Sequence, residues 1–560
     1  MGSLNRRGFF RAAGVAGAGV VLGAPPAWAR GGGTTLDVVA TPVGAGGYRR
    51  LAAGPGWPVV VRGELATANP KRVERRKSLA CFVQFTDMHS VDAQSPARFE
   101  YLHPLIRGSA HRSQELFASR TSAALVRRVN GLRGGPFTGR PVDFVMTTGD
   151  NTDNHQSNEM RWYLDVLNGG VLTPNSGDPH RYEGVHNSGS ELYWHPESAF
   201  ADRYRAIGFP VVPGLLDASI RPFASEGLRV PWYSTFGNHD SAMAGTLPDG
   251  LPLLDGMFTG DQKITGFDDA MTLKLVLALV DPHGAPEFAS LLKEGVTRTV
   301  TPDARRRPFT TAEFVRAHLH PRNTGPGPVG HGFTADNADG IDVFYKFRIA
   351  PGVTGVSLDT TSAGGYSEGA IGLHQYQWLE NVLRRGSSRY YDVFGRLVRK
   401  PVTDERFVLF SHHTSGTMTN TLPEQRRPLE PRLTGDALVA LLQRYPNVLA
   451  WVNGHTHTNA ITAHGHATPE RAFWEINTAA HVDYPQHARV IEIADNGDGT
   501  LSLFTTLIEV DAPYEVDYDD FSATGLASLG REFAFNDLHA NPAKVGTPLD
   551  RNTELLLATR

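Results

Sequence analysis

Trp232-Tyr233-Ser234-Thr235-Phe236 runs directly into Gly237-Asn238-His239-Asp240, a short apolar strand that stops at a turn of glycine, amide, imidazole and carboxylate. A run of this length bounded by such a turn reads as a buried strand whose end carries polar side chains to the margin of a core. The same arrangement recurs along the chain. Ala80-Cys81-Phe82-Val83-Gln84-Phe85 ends at Thr86-Asp87-Met88-His89, and Val142–Thr147 ends at Thr148-Gly149-Asp150. Arg406–Ser411 ends at His412-His413, and Val448–Asn453 ends at Gly454-His455-Thr456-His457. Helical patterns at Gln114–Leu132, Glu313–Leu319, Leu373–Arg385 and Thr434–Tyr445 fit crossovers between such strands. The class is therefore α/β, in which ligand sites gather at the carboxyl ends of the strands.

Composition narrows the chemistry. The chain has 560 residues with 22 His but a single Cys, and a formal charge of −4. One Cys excludes an intramolecular disulfide scaffold and any Cys-ligated zinc or iron–sulfur site. The near-neutral balance argues against a protein that works by neutralising nucleic-acid phosphates. Nitrogen and oxygen ligands are plentiful where sulfur ligands are not.

Taken in order, Asp87-x-His89, Gly149-Asp150, Gly237-Asn238-His239-Asp240, His412-His413 and Gly454-His455-x-His457 resemble the signature of the calcineurin-like metallophosphoesterase superfamily. The resemblance spans residues 79–494, insertions aside. It implies a four-layer α/β/β/α sandwich and two divalent metal ions, Mn, Fe or Zn. Two ions about 3.5–4 Å apart can acidify a water between them and clamp phosphoryl oxygens, which calls for one shared carboxylate with nitrogen and oxygen donors around it.

By that resemblance Asp87, His89 and His457 hold one ion, Asp150 bridges, and Asn238, His412 and His455 complete the second. His239 protonates the leaving group or binds the phosphate, with Asp240 orienting its imidazole and raising its pKa. His412 is preferred to His413 because it falls where the superfamily has its strand-end His. Asp153 stands where purple acid phosphatases carry a ligating Tyr, so that subclass is not expected. For Asp153 and Asn154 a role as turn caps competes with a role in the site. His481 is a candidate for the cleft, and His464 and His466 read as solvated. Tyr182, Tyr193 and Trp194 read as local packing before a stacking platform.

The expected function is an exported phosphomonoesterase or phosphodiesterase acting on a small-molecule or lipid-headgroup phosphoester. A non-catalytic binding protein of the same fold and a nuclease of the same superfamily are the alternatives; no nucleic-acid partner is expected.

Residues 1–29 read as an export signal. Arg6-Arg7 precede Phe9-Phe10, a weakly apolar run follows from Ala12 to Ala24, and Ala27-Trp28-Ala29 matches a cleavage site. The paired arginines resemble a bacterial twin-arginine signal, with the corresponding translocase as partner and a location outside the cytoplasmic membrane. Its removal takes three arginines and no acid, moving the formal charge from −4 to −7. No other stretch is apolar for long enough to span a bilayer. Residues 30–78 form an N-terminal extension and 79–510 the catalytic domain. Insertions at 170–230 and 241–340 are expected to cover the site, and 511–560 reads as a peripheral tail.

Overall fold

The apolar strands read from the sequence sort into two sheets that face each other. A computed structural model of the chain describes residues 32–106, 108, 110–247, 252–281, 284–424 and 426–559; the expected signal at 1–29 lies outside the described residues. The strands of the large sheets are β1 (Val60–Leu65), β2 (Lys77–Phe85), β3 (Phe144–Thr148), β4 (Trp232–Thr235), β5 (Tyr345–Ala350), β6 (Val353–Ser357) and β7 (Arg406–Phe410). They continue with β8 (Val448–Asn453), β9 (Ala460–His464), β10 (Phe473–Asn477), β11 (His487–Asp495), β12 (Thr500–Glu509) and β13 (Thr553–Ala558). A seven-stranded sheet has the order β1-β13-β12-β11-β2-β3-β4, and a six-stranded sheet the order β5-β6-β7-β8-β10-β9. Both are mixed, but β2-β3-β4 are mutually parallel, as are β7 and β8. The five motif-bearing strands therefore release their polar ends on one edge.

Alternation along β2 shows why it reads as a continuous apolar run. Ala80 and Phe82 point between the sheets, where Phe82 stacks on Phe144 at 5.0 Å and meets Phe410 of the other sheet edge-on at 5.5 Å. Cys81, Val83 and Phe85 point the opposite way, into a helical layer. A strand covered on both faces has no polar side to display. That layer consists of α1 (Ala118–Gly131), α2 (Ser157–Asn168), α3 (Thr311–Leu319) and α6 (Ala523–Asn536), through residues such as Leu125, Trp162, Phe314 and Ala527. On the far side, Leu379 and Leu383 of α4 (Leu373–Arg385) and Leu438 and Leu441 of α5 (Gly435–Leu442) cover Leu409 and Trp451. The result is the expected four-layer α/β/β/α sandwich. Among the described residues no helix is long and apolar enough to cross a membrane.

Two expectations about the periphery need correction. Residues 511–560 are not a peripheral tail. β13 sits inside the seven-stranded sheet between β12 and β1, α6 packs on α1, and Trp474 of the other sheet donates from Nε1 to the Leu556 carbonyl at 3.0 Å. The acidic run Asp511–Asp520 masks this, because a lone six-residue strand announces itself only when its partners are known. No residue of 170–230 lines the cavity beside Asp150 and His239 either. Trp194, Tyr204 and Phe209 pack with Leu529 and Phe533 of α6 in a separate apolar cluster, which also answers the reading of Trp194 as packing.

Candidate metal centre

The strand ends reach the edge through strained turns. Asp87, His89, Asp150, His455 and His457 all have left-handed backbone, with φ of 49°, 44°, 50°, 70° and 54°. That conformation costs a non-glycine residue on the order of 1–3 kcal/mol and persists only where surrounding structure over-determines it. Close packing of the turns is part of that determination. A Cβ on Gly149 would lie 2.6 Å from Nδ1 of His412, and one on Gly454 would lie 2.5 Å from Oδ2 of Asp87. Glycine in these motifs lets one turn approach the ligand of another. Gln84 joins the two sheets just beneath, donating from Nε2 to the Asn453 carbonyl (2.7 Å) and to Oγ1 of Thr148 (2.9 Å).

Two groups of donors converge. In the first, Nε2 of His457 lies 3.2 Å from Oδ1 of Asp87 and 3.2 Å from Nε2 of His89, which lies 3.6 Å from Oδ2 of Asp150. In the second, Nε2 of His412 lies 2.8 Å from Oδ1 of Asn238, 3.2 Å from Oδ1 of Asp150 and 3.3 Å from Nδ1 of His455. Nδ1 of His455 is 3.0 Å from Oδ1 of Asn238. The Asp150 carboxylate thus offers one oxygen to each group. All seven residues expected as metal ligands are brought together.

Partners behind the donors set their orientation. Asn238 donates from Nδ2 to the Ala244 carbonyl at 2.9 Å, which turns Oδ1 inward. His412 donates from Nδ1 to the Thr148 carbonyl at 2.8 Å, leaving the lone pair on Nε2. Nδ1 of His89 meets Asp153 and Nδ1 of His457 meets Asp483, both at 2.7 Å. Each group brings ligand atoms within about hydrogen-bond distance of one another, an arrangement that a shared proton or a cation between them would relieve. This donor set fits two divalent ions of the nitrogen- and oxygen-preferring kind.

His413 is excluded by its bonds. A nitrogen of His413 comes within 4.8 Å of donors on His412 and His455. Yet Nδ1 pairs with Oγ1 of Thr360 (2.9 Å) and Nε2 with the Ser367 carbonyl (2.8 Å), so proximity alone would mislead.

Charge is balanced within the site. Burial would raise the Asp150 carboxyl, but His412, His239 and His89 hold it well below the ordinary range. Burial would lower the His412 imidazole, but Asp150 lifts it to about 9. Burial pushes His239 down to about 3 and Asp240 up to about 7.

One assignment is overturned. Asp240 does not orient His239: its carboxylate accepts from the backbone N–H groups of Asn151, Thr152 and Gly237 at 2.9–3.2 Å, and so clamps the Asp150 turn to its own. His239 instead donates from Nδ1 to the Asp153 carbonyl at 3.1 Å. His481 is buried behind the site against Phe85, with Nδ1 3.3 Å from Oγ of Ser122. His464 is not simply solvated, since Nε2 lies 2.7 Å from Oε2 of Glu475.

Three groups were not legible as site residues. Asp483 pairs with His457 through Oδ1 and accepts from Lys544 Nζ through Oδ2 at 2.6 Å, so the C-terminal segment reaches the site. Arg98 ion-pairs with Asp153 and bonds Glu115. Arg112 lies 3.3 Å from Asp153 and lines the cavity beside Asp150, Asn238, His239, His455 and His457. Only Asp483, six residues after β10 in Ala480-His481-Val482-Asp483, sits near a residue with any earlier claim on the site.

No family model matches the chain, and no curated protein matches it. Among solved structures it is similar to a dimetal phosphatase from Danio rerio, at 12% identity over 78% of this chain and 100% of that chain, with a TM-score of 0.33. It is also similar to a purple acid phosphatase from yellow lupin (Lupinus luteus) seeds, at 11% identity over 82% of this chain and 56% of that chain, with a TM-score of 0.27. Likeness this distant assigns no activity.

Proposed function

We propose that this protein is a dinuclear-metal phosphoesterase of the calcineurin-like superfamily. The observation that carries the reading is the Asp150 carboxylate, with Oδ2 facing Asp87, His89 and His457 and Oδ1 facing Asn238, His412 and His455. Mn, Fe or Zn ions held there supply a nucleophile at neutral pH and offset charge on phosphoryl oxygens.

The chain's own groups do the rest. Nδ1 of His239 is committed to the Asp153 carbonyl, which leaves Nε2 for a phosphoryl or leaving-group oxygen. Burial keeps the free imidazole neutral, and an anionic phosphoryl beside it favours the protonated form, which can then release its proton to the departing oxygen. Arg112 adds a fixed positive charge to the same cavity. The substrate is a small phosphoester, mono or di.

The test is elemental analysis of the purified protein joined to turnover of aryl phosphate esters with Mn, Fe and Zn. Two ions per chain and activity lost in both Asp150→Asn and His239→Ala are expected. Absence of activity on every ester, or activity indifferent to Asp150→Asn, defeats the reading.

We also propose export by the twin-arginine route, supported by Arg6-Arg7-Gly8-Phe9-Phe10 and the Ala27-Trp28-Ala29 site. Replacing both arginines with lysine should retain the uncleaved precursor in the cytoplasm; processing that continues unchanged would refute it.

A further inference from the structure

A hairpin leaves the body of the protein between α4 and β7. Arg389–Tyr391 pairs antiparallel with Leu397–Arg399, and the turn between them carries Val393 and Phe394, 71% and 78% exposed, with Leu397 close behind at 41%. Large apolar side chains scattered singly over a surface are ordinary, but three within five residues at the end of a protrusion form a patch. The base of the hairpin is well anchored. Tyr390 stacks on Tyr445 at 5.4 Å, the Arg471 guanidinium lies 4.5 Å over the Tyr391 ring, and Arg389 pairs with Glu470 at 2.7 Å. Asp392 closes the turn, accepting from the backbone N–H groups of Phe394 and Arg396 at 2.9 Å. The apolar tip is therefore held out in water, where only a partner can cover it.

Charge narrows the partner. Residues 384–400 hold six basic residues against the single acid Asp392, in a chain whose formal charge is −4. Asp392 already faces Arg396 at 2.7 Å, and Glu470 answers Arg389. Among the described residues no carboxylate pairs with Arg384, Arg385, Arg399 or Lys400; Arg384 bonds the Asn381 amide, and Lys400 the Arg384 carbonyl. The acids at the base, Asp404 and Glu405, bond Ser388 and Thr354 instead. Four cations thus stand behind the apolar tip, separated from it by a strand of three residues, roughly 10 Å. That matches the depth to which apolar side chains of peripheral proteins enter a bilayer surface, about 5–10 Å.

We propose that this hairpin docks on an anionic lipid bilayer, with Val393 and Phe394 in the boundary between headgroups and acyl chains and Arg384, Arg385, Arg399 and Lys400 against the lipid phosphates. A second copy of the chain fits less well, because pairing two such tips would bring their cations together. A convex tip with three apolar side chains also offers far less than the roughly 800 Å² per partner of a stable protein interface. Docking would turn the metal centre away from the bilayer. Arg406 opens β7, and the Arg444 carbonyl that accepts from the Tyr391 N–H at 2.8 Å stands just ahead of β8, whereas His412 and His455 follow the far ends of those strands.

Flotation of the full metal-loaded chain with vesicles tests this. One set is phosphatidylcholine and phosphatidylglycerol in equal parts, the other phosphatidylcholine alone. Residues 1–29 also combine basic and apolar residues but are common to every variant, so differences between variants read the hairpin. Val393→Ser with Phe394→Ser should weaken binding to the anionic vesicles about tenfold, while Phe394→Leu keeps it. Arg399→Glu with Lys400→Glu should weaken it about as much at low salt, and that difference should vanish near 1 M salt. Metal content should match wild type throughout, since none of these residues approaches the centre. A tip pair or a charge pair that binds like wild type overturns the proposal, as does a charge pair whose loss is equal on neutral vesicles. A chain that sediments as a dimer and is made monomeric by Phe394→Ser assigns the tip to a second copy and also overturns it.

Discussion

The two halves of the metal centre are built differently although they share Asp150. Behind Asp87, His89 and His457 stand two carboxylates, Asp153 and Asp483, each bonded to an imidazole Nδ1 at 2.7 Å and each paired with a cation, Arg98 or Lys544. Behind Asn238 and His412 stand only neutral carbonyls, those of Ala244 and Thr148. His89 is fully buried, whereas His455 is partly exposed and lines the cavity. A carboxylate behind an imidazole makes the ligating nitrogen more basic and locks its tautomer, while a carbonyl only locks it. On that difference, an ion bound at the first position would be held more tightly than one at the second.

Asp150→Asn breaks the comparison altogether. It removes a charge from both halves, so metal content should fall below one ion per chain and phosphoester turnover should vanish; elemental analysis beside a rate assay reads both. Asp483→Asn should act on one half only. Affinity for the tighter ion is expected to fall about 10–100-fold with the weaker one unchanged, measured by competition with a chelator. Equal losses at both positions would show that the halves are not distinguished by what stands behind them. Lys544→Met keeps the carboxylate and removes its counter-charge, and should shift the same affinity in the same direction by less.

Gly454→Ala sharpens the point by geometry. The added methyl meets the Thr86 hydroxyl first and then the Asp87 carboxylate, so the position held by Asp87 should weaken, and overpacking should cost about 1–3 kcal/mol in denaturant unfolding.

A further effect lies away from the centre and acts on stability, not on metal binding. Burial, with neighbouring His111, holds both His103 and His186 at about 3, and burial beside His331 holds His318 at about 3. These groups are neutral when folded and titrate near 6.5 when unfolded. Between about pH 3 and 6.5 the unfolded chain therefore binds more protons, and stability rises with pH. Their contribution is whole above about pH 6.5 and is lost as pH falls toward 3, so the melting temperature should drop progressively below pH 6.5.

Legibility differed between strands and surroundings for a physical reason. Strands such as β8 are buried on both faces, so burial is written into consecutive residues, Val448 to Asn453, and the sequence boundary matches the observed one. The turns after them were legible because a cluster of metal-ligating donors draws on few residue types, His, Asp and Asn. The role that the resemblance implies for Asp240, orienting His239, does not hold for a local reason. In a helical turn the neighbouring side chain points elsewhere, and Asp240 caps the Asp150 turn 89 residues upstream instead.

The amino-acid sequence alone determined the apolar strands, the donor types at their ends and, through a single Cys, the exclusion of sulfur ligands, because these depend on local pattern and composition. Only the tertiary structure decided which donors share Asp150, that His412 and not His413 faces the centre, and that the last fifty residues place Lys544 and β13 where they do. Those facts turn on distances of about 3 Å between residues up to several hundred positions apart, and no local pattern encodes such distances.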